Sequence, residues 1–324
     1  MSAEADETAA PALVDTGDRV SRREFVRTAG LAGLGAVAVG VLAVESPHSF
    51  EVNHHSRGVR GLAAGLRVAL LTDFHLGPNL GPSDLARWVQ ASNSVRPDLV
   101  CLVGDIVDQA YRGDLSELKE MLPDLRAPLG VYAVPGNHDR TRYRRFDVFA
   151  EALREARVSL LMNESVAARD DVRIAGLDDY RVGRPDLDAT LAGQSGGDGV
   201  ATLFLTHNPD VIPELSEVAE SGVDLLLAGH NHRASTHHAP DLVTRAASTL
   251  VVQAGTATSV RLRDEDQSFN LIEVAHDDVT VVVQGWDGSG YASQDAQRYV
   301  RADGRWAKAE GVTSGASSET VDVA

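Results

Sequence analysis

Side chains able to bind a cation or move a proton recur just past the ends of short apolar runs in this chain. "LLTDFHLG" carries Asp73 and His75, "LVCLVGDIVD" carries Asp105 and Asp108, and "VYAVPGNHD" carries Asn137, His138 and Asp139. "LFLTHNP" carries His207, and "LLLAGHNH" carries His230 and His232. Carboxylates, imidazoles and an amide, with no thiolate among them, make an oxygen-and-nitrogen donor set that suits Mn, Fe, Zn or Ni rather than a purely calcium site. In an extended chain, residues i and i+2 point to the same side. On that basis Asp73 and His75 are expected to grip one ion together, and His230 and His232 to straddle a pair. Gly104, Gly136 and Gly229 stand where each run must turn sharply and leave its backbone close to the site.

The runs that would position these groups alternate with amphipathic segments. Strands are expected at Leu66 to Leu71, Asp98 to Val103, Val131 to Val134, Val158 to Leu161, Val172 to Leu177, Ala201 to Leu205 and Val223 to Ala228. Helices are expected at Ser83 to Val95, Asp114 to Leu122, Arg145 to Ala156 and Pro209 to Ala219, the last with proline in its first turn. After residue 240 the helical patterns stop. Thr249 to Gln253, Ser259 to Arg263, Phe269 to Val274 and Val279 to Val283 read as strands. Alternation followed by a run of strands predicts an α/β fold, a layered α/β/β/α sandwich with mixed sheets, in one domain over residues 50–300. The ligand-bearing residues then gather at the carboxyl edges of the strands, where α/β sheets form their sites.

The order D-x-H, G-D-x-x-D, G-N-H-D, a lone H and G-H-x-H over residues 66–235 resembles the calcineurin-like metallophosphoesterases. "PDLVCLVGDIVD", "GVYAVPGNHD" and "HNPDVIPEL" also look like the exported, membrane-associated branch of that family. The resemblance implies two divalent metal ions, one held by Asp73, His75, Asp105 and His232, the other by Asp105, Asn137, His207 and His230. Asp105 would bridge them with both of its oxygens in use. Such ions, roughly 3.5–4 Å apart, clamp a phosphoryl group and lower the pKa of a bridging water to about 7, and the resulting hydroxide attacks phosphorus. His138 is then expected as the proton donor to the leaving oxygen, with Asp108 orienting it and favouring the imidazolium. The implied activity is hydrolysis of phosphodiesters or phosphomonoesters, with a nuclease or pyrophosphatase of the same fold, or a non-catalytic metal-binding surface protein, as the other readings. In that branch two glycines follow G-H-x-H; here "RAST" follows, so Arg233 either narrows the approach or contacts phosphate.

Simpler readings stand beside several of these residues. Asn137 also suits a turn beside glycine. Asp139 is either an ion-pair partner of Arg140 or Arg142 or a group behind the ligands. Asp178 and Asp179 end another run and suit a solvated turn equally. His54-His55 and His237-His238 read as ordinary surface. Arg140, Arg142, Arg144 and Arg145 either attract substrate phosphate or balance charge at a helix start.

The formal net charge of −17 over 324 residues argues against a nucleic-acid partner. Lys119 and Lys308 are the only lysines among 30 basic residues, which fits a GC-rich genome or adaptation to high salt equally. The one cysteine, Cys101, lies in an apolar run and cannot form an intramolecular disulfide. Near the N-terminus, "SRREFVR" precedes the apolar run Leu31 to Val44. Paired arginines before a run shorter than the ~20 residues that span a bilayer resemble a twin-arginine export signal. Residues 21–45 are therefore expected to serve as that signal or a membrane anchor, with the export machinery and a membrane surface as partners and an extracytoplasmic location. Residues 1–20 and 311–324 are expected to be disordered.

Overall fold

The computed structural model describes residues 62–77, 80–143, 145–193, 199–217, 222–238, 249–257, 267–276, 278–302 and 305–309, with backbone only at 216–217, 236–238, 302 and 305. The arginine pair and apolar run at 21–45, His48, His54, His55, Arg144, the run Ser259 to Arg263 and the tail 311–324 lie outside these residues, as do the side chains of His237 and His238.

Two mixed sheets form. In the first, β1 (Leu66–Leu71), β2 (Leu99–Val103), β3 (Val131–Val134) and β4 (Ser159–Leu160) run parallel. β11 (Ser268–Val274), β12 (Asp278–Trp286), β13 (Tyr291–Ala302) and β14 (Arg305–Lys308) continue it antiparallel from the other side of β1. In the second, β6 (Val172–Gly176), β7 (Ala201–Leu205), β8 (Leu225–Ala228) and β10 (Leu250–Gln253) are parallel. β5 (Glu164–Arg169) and β9 (Ser235–His238) flank them antiparallel.

Strand periodicity divides the apolar side chains between layers. Leu66, Val68 and Leu70 of β1 join Ile174, Leu203, Leu205 and Leu227 in a core between the sheets. Ala69 and Leu71 face the other way, against Leu85, Trp88 and Val89 of α1 (Pro82–Ser94), Leu118 of α2 (Ser116–Met121) and Phe149 and Leu153 of α4 (Phe146–Glu155). On the second sheet, Ala175, Phe204 and Leu226 meet Ile212 and Leu215 of α6 (Ile212–Glu217). The result is the expected α/β/β/α sandwich. Two short helices complete the described set, α3 (Asn137–Arg142) and α5 (Leu187–Thr190).

Several expected elements are shorter than their patterns. The helix expected at Asp114 to Leu122 begins at Ser116 and passes into a 3-10 turn, Leu122–Asp124, at Pro123, which cannot continue an α-helix interior. That expected from Pro209 starts as a 3-10 turn, Pro209–Val211, before α6. β13 and β14 carry the first sheet past residue 300.

One packing contact ties the core to the ligand loops. Phe74, between Asp73 and His75, lies edge-on to Trp88, with ring centroids 4.1 Å apart, and Trp88 is fully buried. Trp88→Ala is expected to cost about 3–5 kcal/mol of folding stability, measured by urea unfolding. It should also weaken metal retention in the folded fraction, because the backbone between the two ligands loses its support.

Candidate metal centre

All five ligand-bearing loops leave the carboxyl ends of parallel strands: β1, β2 and β3 in one sheet, β7 and β8 in the other. The loops after β1 and β2 are joined by backbone hydrogen bonds, with Asp73 N–H donating to Gly104 O, His75 N–H to Asp105 O and Leu76 N–H to Ile106 O. The second sheet is drawn in by the side chains themselves. His230 N–H donates to Asp73 Oδ2 at 2.9 Å, and His207 Nδ1 meets Val103 O at 2.8 Å.

The backbone conformation differs from the extended one expected. Asp73, His75, Asp105, His230 and His232 have φ of +55°, +49°, +50°, +71° and +55°. Each stands in the left-handed region, at a cost of roughly 1–2 kcal/mol. Asp73 and His75 therefore converge through consecutive sharp turns, not through the i, i+2 alternation of a strand. Close approach fixes the glycines between them. A Cβ on Gly136 would stand 2.2 Å from both the backbone nitrogen and Oδ1 of Asp105, and one on Gly229 would stand 2.0 Å from Thr72 Oγ1.

The donor atoms form two groups. In the first, His232 Nε2 lies 3.2 Å and His75 Nε2 3.7 Å from Asp73 Oδ1; the two nitrogens are 3.3 Å apart, and His75 Nε2 is 3.7 Å from Asp105 Oδ2. In the second, His207 Nε2 lies 3.3 Å from Asp105 Oδ2 and 3.2 Å from Asn137 Oδ1. His230 Nδ1 lies 3.1 Å from Asn137 Oδ1 and 3.3 Å from His207 Nε2. Donors bonded at about 2.1 Å to one ion are separated by roughly 3.0–3.4 Å at octahedral or tetrahedral angles. Most of these separations match that edge length. Asp105 Oδ2 belongs to both groups. Its other oxygen, Oδ1, accepts the His138 backbone N–H at 2.8 Å. A single oxygen therefore faces both positions, where the sequence led us to expect both oxygens in use.

The residues fit a cation pair on grounds independent of motif. Asp73 Oδ1 is buried and accepts no hydrogen bond. With the His207 Nδ1 proton directed at Val103 O, a neutral ring leaves the Nε2 lone pair facing two oxygen acceptors. The electrostatics agree. Burial, the largest single influence, would lower the pKa of His207, yet the Asp105 and Asp73 carboxylates and the Val103 carbonyl together outweigh it and push it up to about 10. Burial likewise opposes the ionisation of Asp73, but the adjacent imidazoles of His232 and His75 hold its carboxyl well below the usual range. The pocket demands positive charge, which divalent ions supply with deprotonation of the rings.

Other residues settle into different places. Asp139 is fully buried and makes no ion pair with Arg140 or Arg142; it accepts the backbone N–H groups of Val107 at 2.9 Å, Gly136 at 2.9 Å and Ile106 at 3.3 Å. It thus clips the Asp105 loop to the start of α3. Burial, then the charge of Asp105, pushes its pKa up to about 7. Asp108 Oδ2 lies 3.5 Å from His75 Nδ1 and 3.6 Å from His138 Nδ1, so it serves both rings, not His138 alone. The Gln109 N–H donates to His138 Nδ1 at 3.3 Å, which places a neutral His138 proton on Nε2. The arginines after Asp139 are engaged. Arg140 pairs with Asp178 and lies over Phe146, Arg142 donates to Tyr111 O, and Arg145 pairs with Asp147. Asp178 and Asp179, which suited a solvated turn, are both buried. Arg233 is exposed beside His232. The sequence reading passed over Thr72, whose hydroxyl lies 2.8 Å from Asp73 Oδ2, and Thr256, whose hydroxyl donates to Asp73 O at 2.7 Å. Thr72 directly precedes the D-x-H motif; Thr256 has no signal near any motif.

Comparison with known proteins agrees with this geometry. The sequence profile of the calcineurin-like phosphoesterases matches residues 66–234. The uncharacterised metallophosphoesterase YkuE of Bacillus subtilis is 28% identical over 232 residues, which span 66% of this chain and 77% of the relative. A transmembrane protein with metallophosphoesterase domain from Bos taurus is 32% identical over 185 residues, 52% of this chain and 40% of its own. The UDP-2,3-diacylglucosamine pyrophosphatase LpxG of Chlamydia muridarum is 26% identical over 214 residues, 52% of this chain and 64% of its own.

Two substitutions separate the positions. Asp105→Ala should strip both ions, whereas His230→Ala should reduce the metal content to about one per chain. Elemental analysis after dialysis would read these as near zero and near half of wild type, and equal loss in the two variants would contradict the shared oxygen.

Proposed function

Because the chain belongs to the calcineurin-like phosphoesterase family, we propose that it hydrolyses phosphodiesters or phosphomonoesters at a two-metal centre. Asp73, His75, Asp105 and His232 would hold one ion, and Asp105, Asn137, His207 and His230 the other. The single observation that carries this reading is Asp105 Oδ2, which stands 3.7 Å from His75 Nε2 and 3.3 Å from His207 Nε2 and so belongs to both donor groups. Bound there, a pair of divalent cations supplies Lewis-acid stabilisation of phosphoryl charge and brings a water's pKa to near neutrality.

The chain's own residues perform the remaining work. His138 is partly exposed at the start of α3, with its ring centroid 4.6 Å from that of His75. Its Nε2 proton is the one available to a leaving oxygen, since Nδ1 accepts from Gln109. Asp108 stabilises the ring whenever it is protonated, and steadies His75 with the same oxygen. Asp139 holds the turn after Asp105 by accepting the N–H groups of Ile106 and Val107.

Export by the twin-arginine route and work at a membrane or cell surface complete the proposal. The support is the segment Ser21 to Val44, together with a relative whose name describes a transmembrane protein. Envelope or lipid head-group phosphates are the substrates favoured. The name of the Chlamydia relative supports this, since it specifies an acylated sugar linked to a nucleoside diphosphate. A nuclease is disfavoured by the charge of −17, which repels a polyanion.

Purified protein loaded with Mn, Fe, Zn or Ni should hydrolyse bis(p-nitrophenyl) phosphate or p-nitrophenyl phosphate and stop when chelator is added. Turnover of neither ester with any of the four metals would defeat the reading. His138→Gln should keep both ions, because Asp105 is held by the backbone N–H at position 138, while kcat falls about 10²–10⁴-fold. Replacing Arg22 and Arg23 together by lysine should leave the protein in the cytoplasm, as fractionation of the expressing cells would show.

A further inference from the structure

The loop after β6, "LDDYRVGR", was assigned no part in the chemistry above. β6, β7 and β8 are parallel neighbours, so this loop emerges at the edge that carries His207 and His230. It is held rigidly by two buried carboxylates. Asp179 Oδ1 accepts the N–H groups of Arg181 at 3.0 Å and Val182 at 2.8 Å. Asp178 accepts the N–H groups of Asp179 at 2.7 Å and Arg184 at 2.8 Å, and pairs with Arg140 of α3 across to the first sheet. Gly183 allows the tight path, since a Cβ there would lie 2.4 Å from Asp179 O.

This frame presents Arg181 at the rim. Its side chain is 58% exposed and reaches Asp210, three residues beyond His207 on the next loop. The Asp210 side chain is itself 51% exposed. An ion pair between two such exposed groups is worth little and is readily exchanged for a stronger anion. Arg140 and Arg142 are committed elsewhere, as described above, and Arg145 stands at the start of α4 and not on a loop neighbouring that of His207. A planar guanidinium on a stiff loop suits bidentate capture of a phosphate.

Resting on the phosphoesterase reading, we propose that Arg181 is a specificity-determining residue that binds a second phosphate group of the substrate, so that the site prefers diphosphate over monophosphate compounds. Arg181 exchanges Asp210 for the non-scissile phosphate while the scissile one occupies the metal centre. No bond changes at Arg181, so its contribution falls on affinity and not on the proton transfers at His138.

The test uses full-length metal-loaded protein and two probes, inorganic pyrophosphate and orthophosphate, titrated by calorimetry into wild type, Arg181→Gln and Asp210→Asn. Arg181→Gln should weaken pyrophosphate binding about 10–100-fold, the range of one charge-assisted hydrogen-bonded contact, and change orthophosphate binding less than threefold. Asp210→Asn breaks the same ion pair but keeps the guanidinium, so it should bind pyrophosphate as wild type does, or more tightly. A merely structural role for the pair would make the two variants alike. Equal losses in both, or no loss in Arg181→Gln while wild type hydrolyses bis(p-nitrophenyl) phosphate, would overturn this inference alone. A wild type that hydrolyses no ester would overturn the phosphoesterase reading and this inference with it.

Discussion

The structure depends on one electrostatic constraint: two buried carboxylates, Asp73 and Asp105, face imidazole nitrogens in a space with too few protons to satisfy all of them. Asp73 Oδ1 accepts no hydrogen bond, and Asp105 Oδ2 is approached by both His75 and His207. A buried anion left uncompensated is among the costliest features a protein can carry. Protonated histidine can meet part of the demand, as the raised pKa of His207 shows. Cations meet it fully, and they make the spacing of the donors an advantage instead of a repulsion.

That constraint explains the conformational strain around it. Five donor residues occupy left-handed backbone conformations, which side-chain-bearing residues avoid unless surrounding contacts over-determine them. The contacts are present. Asp139 holds three backbone N–H groups, Thr256 holds Asp73 O, and the β1 and β2 loops are bonded to each other residue by residue. Behind them, the inter-sheet core and the layer holding Phe74 and Trp88 keep the loops from relaxing. The strained turns are thus affordable only on a fold whose strands end at one edge of two packed sheets.

This division also explains what could be read in advance. The buried strands carry continuous apolar runs, so β1, β2, β7 and β8 stand out, and the donors at their ends stand out with them. β5 and β13 do not, because ESVAAR and YASQDAQRYVRA are largely solvent-facing and owe their conformation to pairing with β6 and β12. α3 has no apolar face; the Asp139 carboxylate accepting the Gly136 N–H starts it. The donor set was legible, but the reason for its convergence was not. Residue spacing suggested an extended pair at Asp73 and His75, and periodicity carries no information about a positive φ. The role of Asp139 depends on a partner 32 residues away in sequence, Val107, which no local pattern records.

The two halves of the centre are not equivalent. Asp73, His75 and His232 are buried, whereas Asn137 and His230 remain partly exposed. A site whose donors all face inward favours holding an ion, and one with donors open to solvent keeps a position for water or substrate. The second position also has the weaker donor, a neutral amide, and carries no carboxylate besides the shared Asp105. An ion held there would retain more of its charge for an incoming phosphoryl oxygen.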